Sequence, residues 1–126
     1  MQIHRLDHVN LRTAQLEVMV RWYTDVLGMR SGARPDFPFP GAWMYLGNQA
    51  PVHLIGVGDD AGAGSETELK LEHFAFSGSG REEFVARLEE RGIPFRSNDI
   101  PSVKLVQINL WDPDGNHIHV DFSTDE

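Results

Sequence analysis

Six histidines in a chain of 126 residues are the side chains with the greatest capacity for chemistry, and four of them fall into a pattern. "RLDHVNL" at 5–11 and "KLEHFAF" at 70–76 share an order: a basic residue, Leu, an acid, His and an apolar-rich tail. His8 and His73 are therefore equivalent at an offset of 65 residues. His53, in "PVHLIGV", follows His8 by 45 residues, and His119, in "GNHIHVDF", follows His73 by 46. Neutral imidazole is a preferred ligand of zinc and of the other first-row divalent ions. A single His in a strand more often packs or sits half-exposed than binds an ion, so it is the symmetry that carries the reading. His8, His53, His73 and His119 are expected to hold a divalent transition metal: Zn, Ni, Mn or Fe. His4, near the start of a strand, is expected to be exposed. His117 shares a face with His119 but follows a turn at once, and is expected either behind the ligands or at the rim of the site.

The elements that must position these residues also come in two sets. "IHRLDHVNLR" alternates as a strand does, with Val9 and Leu11 on one face and Leu6, His8 and Asn10 on the other. A helix fits 14–27: Thr13 can cap its start, Leu16, Met19, Val20, Tyr23 and Leu27 recur along one face, and Gly28 can end it. Strands near 29–35, 42–47 and 51–57 follow. The glycine-rich, acidic "GDDAGAGSETE" at 58–68 reads as a linker. The second set repeats the first: a strand in "LKLEHFAFS", a helix in "GREEFVARLEERG" with Phe84 and Leu88 inward, then strands at 93–98, 103–111 and 117–122, the last two joined by "DPDGN". The plan is β-α-β-β-β twice, an internal repeat within one α+β domain. Its modules span 1–57 and 69–126.

Period-two alternation sorts the faces of the last strand. Ile118, Val120 and Phe122 point toward a helix, and His117, His119 and Asp121 point away from it. The four histidines thus belong to the sheet faces that carry no helix, where a concave pocket can form. Asn10 shares a face with His8. With it, Trp43, Tyr45, Gln107, Asn109 and Trp111 are the candidates to line a substrate cavity, although either Trp could equally pack a core or a dimer interface, and Asn10 could equally anchor a neighbouring strand. Asp112 and Asp114 read as turn formers without a chemical role.

Composition excludes several classes. Eleven Lys and Arg against nineteen Asp and Glu give a formal charge of −8, which argues against nucleic acid or an anionic membrane as partner. The chain has no cysteine, so no disulfide, zinc knuckle or thiol nucleophile arises. No segment resembles a signal peptide or approaches the roughly 20 apolar residues of a membrane span. A soluble, cytoplasmic protein is expected.

"LDHVNL" at 6–11, "WYTDVLGM" at 22–29, "LEHFAF" at 71–76 and "DPDGNHIHV" at 112–120 resemble the vicinal oxygen chelate superfamily, which includes glyoxalase I, fosfomycin-resistance enzymes, extradiol dioxygenases and bleomycin-binding proteins. The resemblance covers nearly the whole chain. It implies two βαβββ modules in a curled mixed sheet, metal ligands at His8, His73 and residue 119, and in the glyoxalase-like branch a fourth at residue 53. Where that branch usually carries glutamate at 53 and 119, this chain carries His53 and His119. The metal-bound carboxylate that removes a proton from carbon in glyoxalase-like chemistry is thereby missing, and a His119 that leaves the ion becomes the candidate base. The reading that follows is a metal-dependent enzyme that chelates vicinal oxygens of a small oxygenated organic substrate, by isomerase, lyase or dioxygenase-type chemistry. The alternative is a non-catalytic protein that sequesters a small molecule or antibiotic, as the bleomycin-resistance branch does. Uncovered sheet edges and the resemblance both imply a homodimer. Whether His8 and His53 serve with the His73 and His119 of their own chain or of a partner stays open.

Overall fold

The computed structural model describes residues 1–59 and 69–126, so all but the first two residues of the expected linker at 58–68 lie outside the described residues. The chain divides into two units, 1–62 and 63–126.

In the first unit the order is β1 (Val9–Thr13), α1 (Leu16–Asp25), β2 (Arg30–Gly32), β3 (Gly41–Leu46) and β4 (Gln49–Gly56). The sheet runs β1-β4-β3-β2, with β1 parallel to β4 and the other pairs antiparallel. A parallel pair needs a crossover, and α1 lies within it. Register decides which residues share a face: Asn10 and Trp43 both stand beside His53, while Val9 and Met44 stand beside Val52. The apolar set Met44, Val52 and Leu54 is fully buried, as are Met19 and Tyr23 of α1, which packs on β2, β3 and β4. Each such burial contributes about 1.5–3 kcal/mol.

The second unit repeats this plan with β5 (Phe74–Gly78), α2 (Arg81–Glu90), β6 (Arg96–Ile100), β7 (Leu105–Trp111) and β8 (His117–Ser123), in the order β5-β8-β7-β6. Phe84 of α2 meets Phe122 of β8 at a ring distance of 5.8 Å, and Leu88, Ile108, Leu110 and Ile118 complete the buried layer. Both sheets are mixed, and the α+β reading of two βαβββ modules holds.

Both helices end at glycine. Gly28 and Gly92 take φ of 70° and 64°, a left-handed conformation that a side chain disfavours. The following amides close the turn, Met29 N donating to Tyr23 O and Ile93 N to Leu88 O.

Element limits depart from the sequence reading at several places, among them β6 at Arg96–Ile100 rather than 93–98 and β7 beginning at Leu105 rather than 103. The helix begins at Leu16 rather than 14, because Thr13 is the last residue of β1; its hydroxyl accepts from Gln15 N instead of capping the helix directly. The apolar stripe of α1 closes on buried Val26 rather than Leu27. The strand expected at 29–35 stops at Gly32, since Pro35, Pro38 and Pro40 have no N–H to give a ladder. The first strand of each module starts late. Pairing begins at Val9–Val52 and at Phe74–Ile118, so His8 and His73 each stand one residue before a strand.

Candidate functional site

In the first unit His8, His53 and Trp43 form a ladder of rings. His8 stacks on His53 with centroids 3.9 Å apart and planes 9° apart, and Trp43 stacks on His53 at 4.1 Å and 13°. The ladder follows from the register: Trp43 is the antiparallel neighbour of His53, and His8 lies two residues before its parallel neighbour Asn10. These residues, with Asn10 and Tyr45, line a cavity of about 490 Å³. Arg34 stands on the same cavity, its guanidinium 5.2 Å from the ring centres of both Phe37 and Phe39 and bonded to the Phe39 carbonyl. His53 is buried, and that burial, followed by the proximity of His8, pushes its imidazole below the ordinary value and favours the neutral, ligating form.

In the second unit the helix-free face carries His117, His119 and Asp121 of β8 against Trp111, Asn109 and Gln107 of β7, paired in that order. His73 lies 4.5 Å from His119 and 5.3 Å from His117 between ring centres. Trp111 stacks on His117 at 5.3 Å, and Gln107 is half-buried beside Asp121. Asn109 is buried and its amide is engaged: Oδ1 lies 2.8 Å from His117 Nε2, and Nδ2 donates to the Arg96 carbonyl.

Carboxylates hold the imidazoles. His8 Nδ1 donates to Asp7 at 2.8 Å, His119 Nδ1 to Asp121 at 2.6 Å, and His73 Nδ1 to Glu72. The bond from His8, then that from Arg5, keeps Asp7 below the usual carboxylate range; the bond from His73 does the same for Glu72, with a lesser contribution from His117. A carboxylate on Nδ1 leaves the lone pair on Nε2, which is the tautomer and orientation of a metal-ligating histidine. By donor chemistry the site therefore fits a first-row divalent ion. The two units differ in readiness. Imidazole donates in its ring plane, and planes only 9° apart meet far beyond the ligand distance of about 2.0–2.1 Å, so His8 or His53 must turn before both can hold one ion.

The structure thus brings His8 together with His53, and His73 with His119, each pair within its own unit. The sequence reading missed the acids. Asp7 and Glu72 precede His8 and His73 in both repeats, and that spacing was the available signal; Asp121 shares a face with His119 by alternation. His117, expected behind the ligands or at the rim, is 6% exposed, which excludes the rim. Asp112 forms the turn as expected: buried, it accepts from the Asp114 and Asn116 amides and from the Asn116 side chain, and so sets the entry into β8.

Two four-stranded mixed sheets of βαβββ plan, with histidines and carboxylates on the helix-free faces, define the class of protein. Over residues 5–120 the chain matches the Glyoxalase/Bleomycin resistance protein/Dioxygenase superfamily, and it belongs to that family. A glyoxalase family protein of Bacillus anthracis has a similar structure, with a TM-score of 0.78, 23% identity and 98% of each chain covered. Lactoylglutathione lyase from Agrobacterium tumefaciens is similar at a TM-score of 0.72 and 18% identity, over 96% of this chain and 95% of that one. The fosfomycin resistance protein FosX from Listeria monocytogenes is similar at 0.72 and 13%, over 98% and 96%. No curated protein sequence matches the chain.

Proposed function

We propose that the chain is a metal-dependent enzyme acting on a small oxygenated organic molecule, with His8, His53, His73 and His119 as the ligands of a divalent transition metal. The observation that carries this reading is the carboxylate behind three of these imidazoles, Asp7, Glu72 and Asp121, which is the support a ligating histidine requires. The ion supplies Lewis acidity toward vicinal oxygens of the substrate. The chain's own residues do the rest. Trp43, Tyr45 and Asn10 line the cavity that receives the substrate, with an aromatic wall for its apolar body and Arg34 for an acidic group. Gln107 and Trp111 are the candidates for contact in the second unit. His119, held by Asp121 at Nδ1, would accept a proton at Nε2 once that nitrogen has left the ion. Isomerase or lyase chemistry fits a histidine base of this kind, and dioxygenase-type chemistry is the further possibility within the family.

The rival reading, a protein that sequesters an antibiotic without turnover, leaves the carboxylate-held histidines without a purpose. Metal analysis of protein purified without a histidine tag separates the two: the enzyme reading expects stoichiometric ion, and the sequestering reading none. A homodimer is proposed as well, since β1, β2, β5 and β6 are sheet edges. Sedimentation at micromolar concentration tests it, and a monomer would refute it. Among the described residues no helix is long and apolar enough to cross a membrane.

A further inference from the structure

The segment that follows β2 carries Arg34, Phe37 and Phe39 onto the cavity of the first unit, and it is tied at both ends. Tyr45 Oη donates to the Ala33 carbonyl at its start, and Gly56 N donates to the Pro40 carbonyl at its end. Between these ties Pro35, Pro38 and Pro40 restrict the backbone. Phe37 and Phe39 stack with ring centres 5.1 Å and planes 8° apart, yet they remain 40% and 39% exposed. The Arg34 guanidinium stands 5.2 Å from both ring centres, and its Nη2 donates to the Phe39 carbonyl. A Cβ on Gly41 would lie 2.9 Å from that nitrogen, so the glycine leaves the space that the guanidinium fills. Half-buried and held in place, Arg34 has no carboxylate partner among the described residues, although the chain has nineteen acids against eleven Lys and Arg. The other arginine on the cavity, Arg5, is paired with Asp7 at 3.4 Å. An unpaired positive charge therefore lines the cavity beside an exposed pair of rings.

We propose that Arg34, Phe37 and Phe39 form a subsite that selects a small aromatic acid, a carboxylate carried on a planar apolar ring. The guanidinium spends one N–H on Phe39 and keeps further in-plane donors, which can take both oxygens of a carboxylate. The ring of such a ligand can stack on the exposed phenylalanines, at about 4.5–7 Å between centres. A single unpaired cation suits a carboxylate monoanion better than a phosphate group, which carries roughly two charges. The proposal rests on the reading of this cavity as the place that receives the substrate, and it adds the substrate's chemical class and the residues that select it.

The probe is 2-naphthoate, titrated calorimetrically into the full chain as isolated and again with excess EDTA, beside its uncharged counterpart 2-naphthamide. Wild-type protein should bind the naphthoate under both conditions, at least about 10-fold more tightly than the amide. Arg34→Gln should weaken the naphthoate by at least about 10-fold and leave the amide unchanged, so that the discrimination disappears. Arg34→Lys, which keeps the charge without the planar fork, should fall between the two. Phe39→Leu should weaken both ligands together. Arg12→Gln, at an exposed position of β1 outside the cavity, is the charge control and should bind as wild type. If Arg34→Gln does not fold, Arg34→Lys carries the test, and wild-type affinity in it would overturn the subsite. If Arg34→Gln binds the naphthoate like wild type, the subsite is overturned; if that binding also vanishes with EDTA, the carboxylate goes to an ion instead and the metal-dependent reading stands without the subsite. Wild-type protein that binds neither ligand, or both equally, overturns the subsite and leaves the metal-dependent reading to elemental analysis. Selective binding that requires Arg34 in protein containing no metal would keep the subsite and remove the metal-dependent reading.

Discussion

His8 and His53 stack face to face, 3.9 Å between ring centres, although they are 45 residues apart in the chain. Parallel rings cannot direct in-plane lone pairs at one ion, so ligation by both requires one ring to turn out of the stack. His53 is sandwiched between His8 and Trp43, and its rotation would alter the surroundings of the indole. Adding zinc should therefore change tryptophan fluorescence in wild-type protein and change it much less in Trp43→Phe. An unaltered spectrum in protein shown to contain zinc would mean that His8 and His53 do not act on one ion.

The helix-facing side of β8 can be tested apart from any chemistry. Phe122 is buried against Phe84, and truncation to Ala should destabilise the protein by about 3–5 kcal/mol in urea denaturation. Val18→Ala on the outer side of α1, where Val18 is 38% exposed, should change stability by less than about 0.5 kcal/mol. Similar losses at the two positions would contradict the assignment of faces.

That assignment was legible in the sequence because alternation is a local property. Val9 and Leu11 opposing His8, and Ile118, Val120 and Phe122 opposing His119, follow from period two alone, and the repeat placed four histidines on equivalent positions. Gly28 and Gly92 marked both helix ends for a similar reason, the left-handed turn after each helix. Interactions between distant residues were not legible. Nothing in the string says that Asn109 directs its amide at His117, or that Glu72 reaches a histidine 45 residues away, because both depend on how β5, β7 and β8 pair. The start of β5 at Phe74 has the same origin: the ladder with β8 decides it, and "LKLEH" reads as strand by composition.

Asp112 supports the site from outside it. Its carboxylate takes three hydrogen bonds across the turn that delivers His117 and His119 into β8, and it is buried. Asp112→Ala leaves those donors unmatched and should lower stability by about 2–3 kcal/mol, with weaker metal binding as a consequence. Chemical denaturation and metal titration of the variant check both effects. A loss below about 0.5 kcal/mol would show that the turn holds without the carboxylate.

Acid should strip the ion. The ligands are neutral imidazoles, and protons compete for imidazole ligands at higher pH than for carboxylate ligands. His53 is shifted down by burial and by His8, so it stays neutral, and able to ligate, to lower pH than an ordinary histidine. The sign for stability is the same: the unfolded chain takes up the His53 proton first, so its contribution to stability is complete above about pH 6.5 and falls away as pH drops through the depressed folded value. Dialysis across about pH 5 to 8, followed by metal analysis, should show retention at the upper end and loss at the lower. Full retention at pH 5 would contradict a site built from imidazoles alone.

The central claim is that the histidines bind a metal, and the most direct measurement is elemental analysis of untagged protein beside His8→Ala and His73→Ala. The account predicts a stoichiometric divalent transition metal in wild-type protein, and its loss from both variants. Wild-type protein that contains no metal, with a melting temperature unmoved by added zinc, nickel, manganese or iron(II), would contradict it.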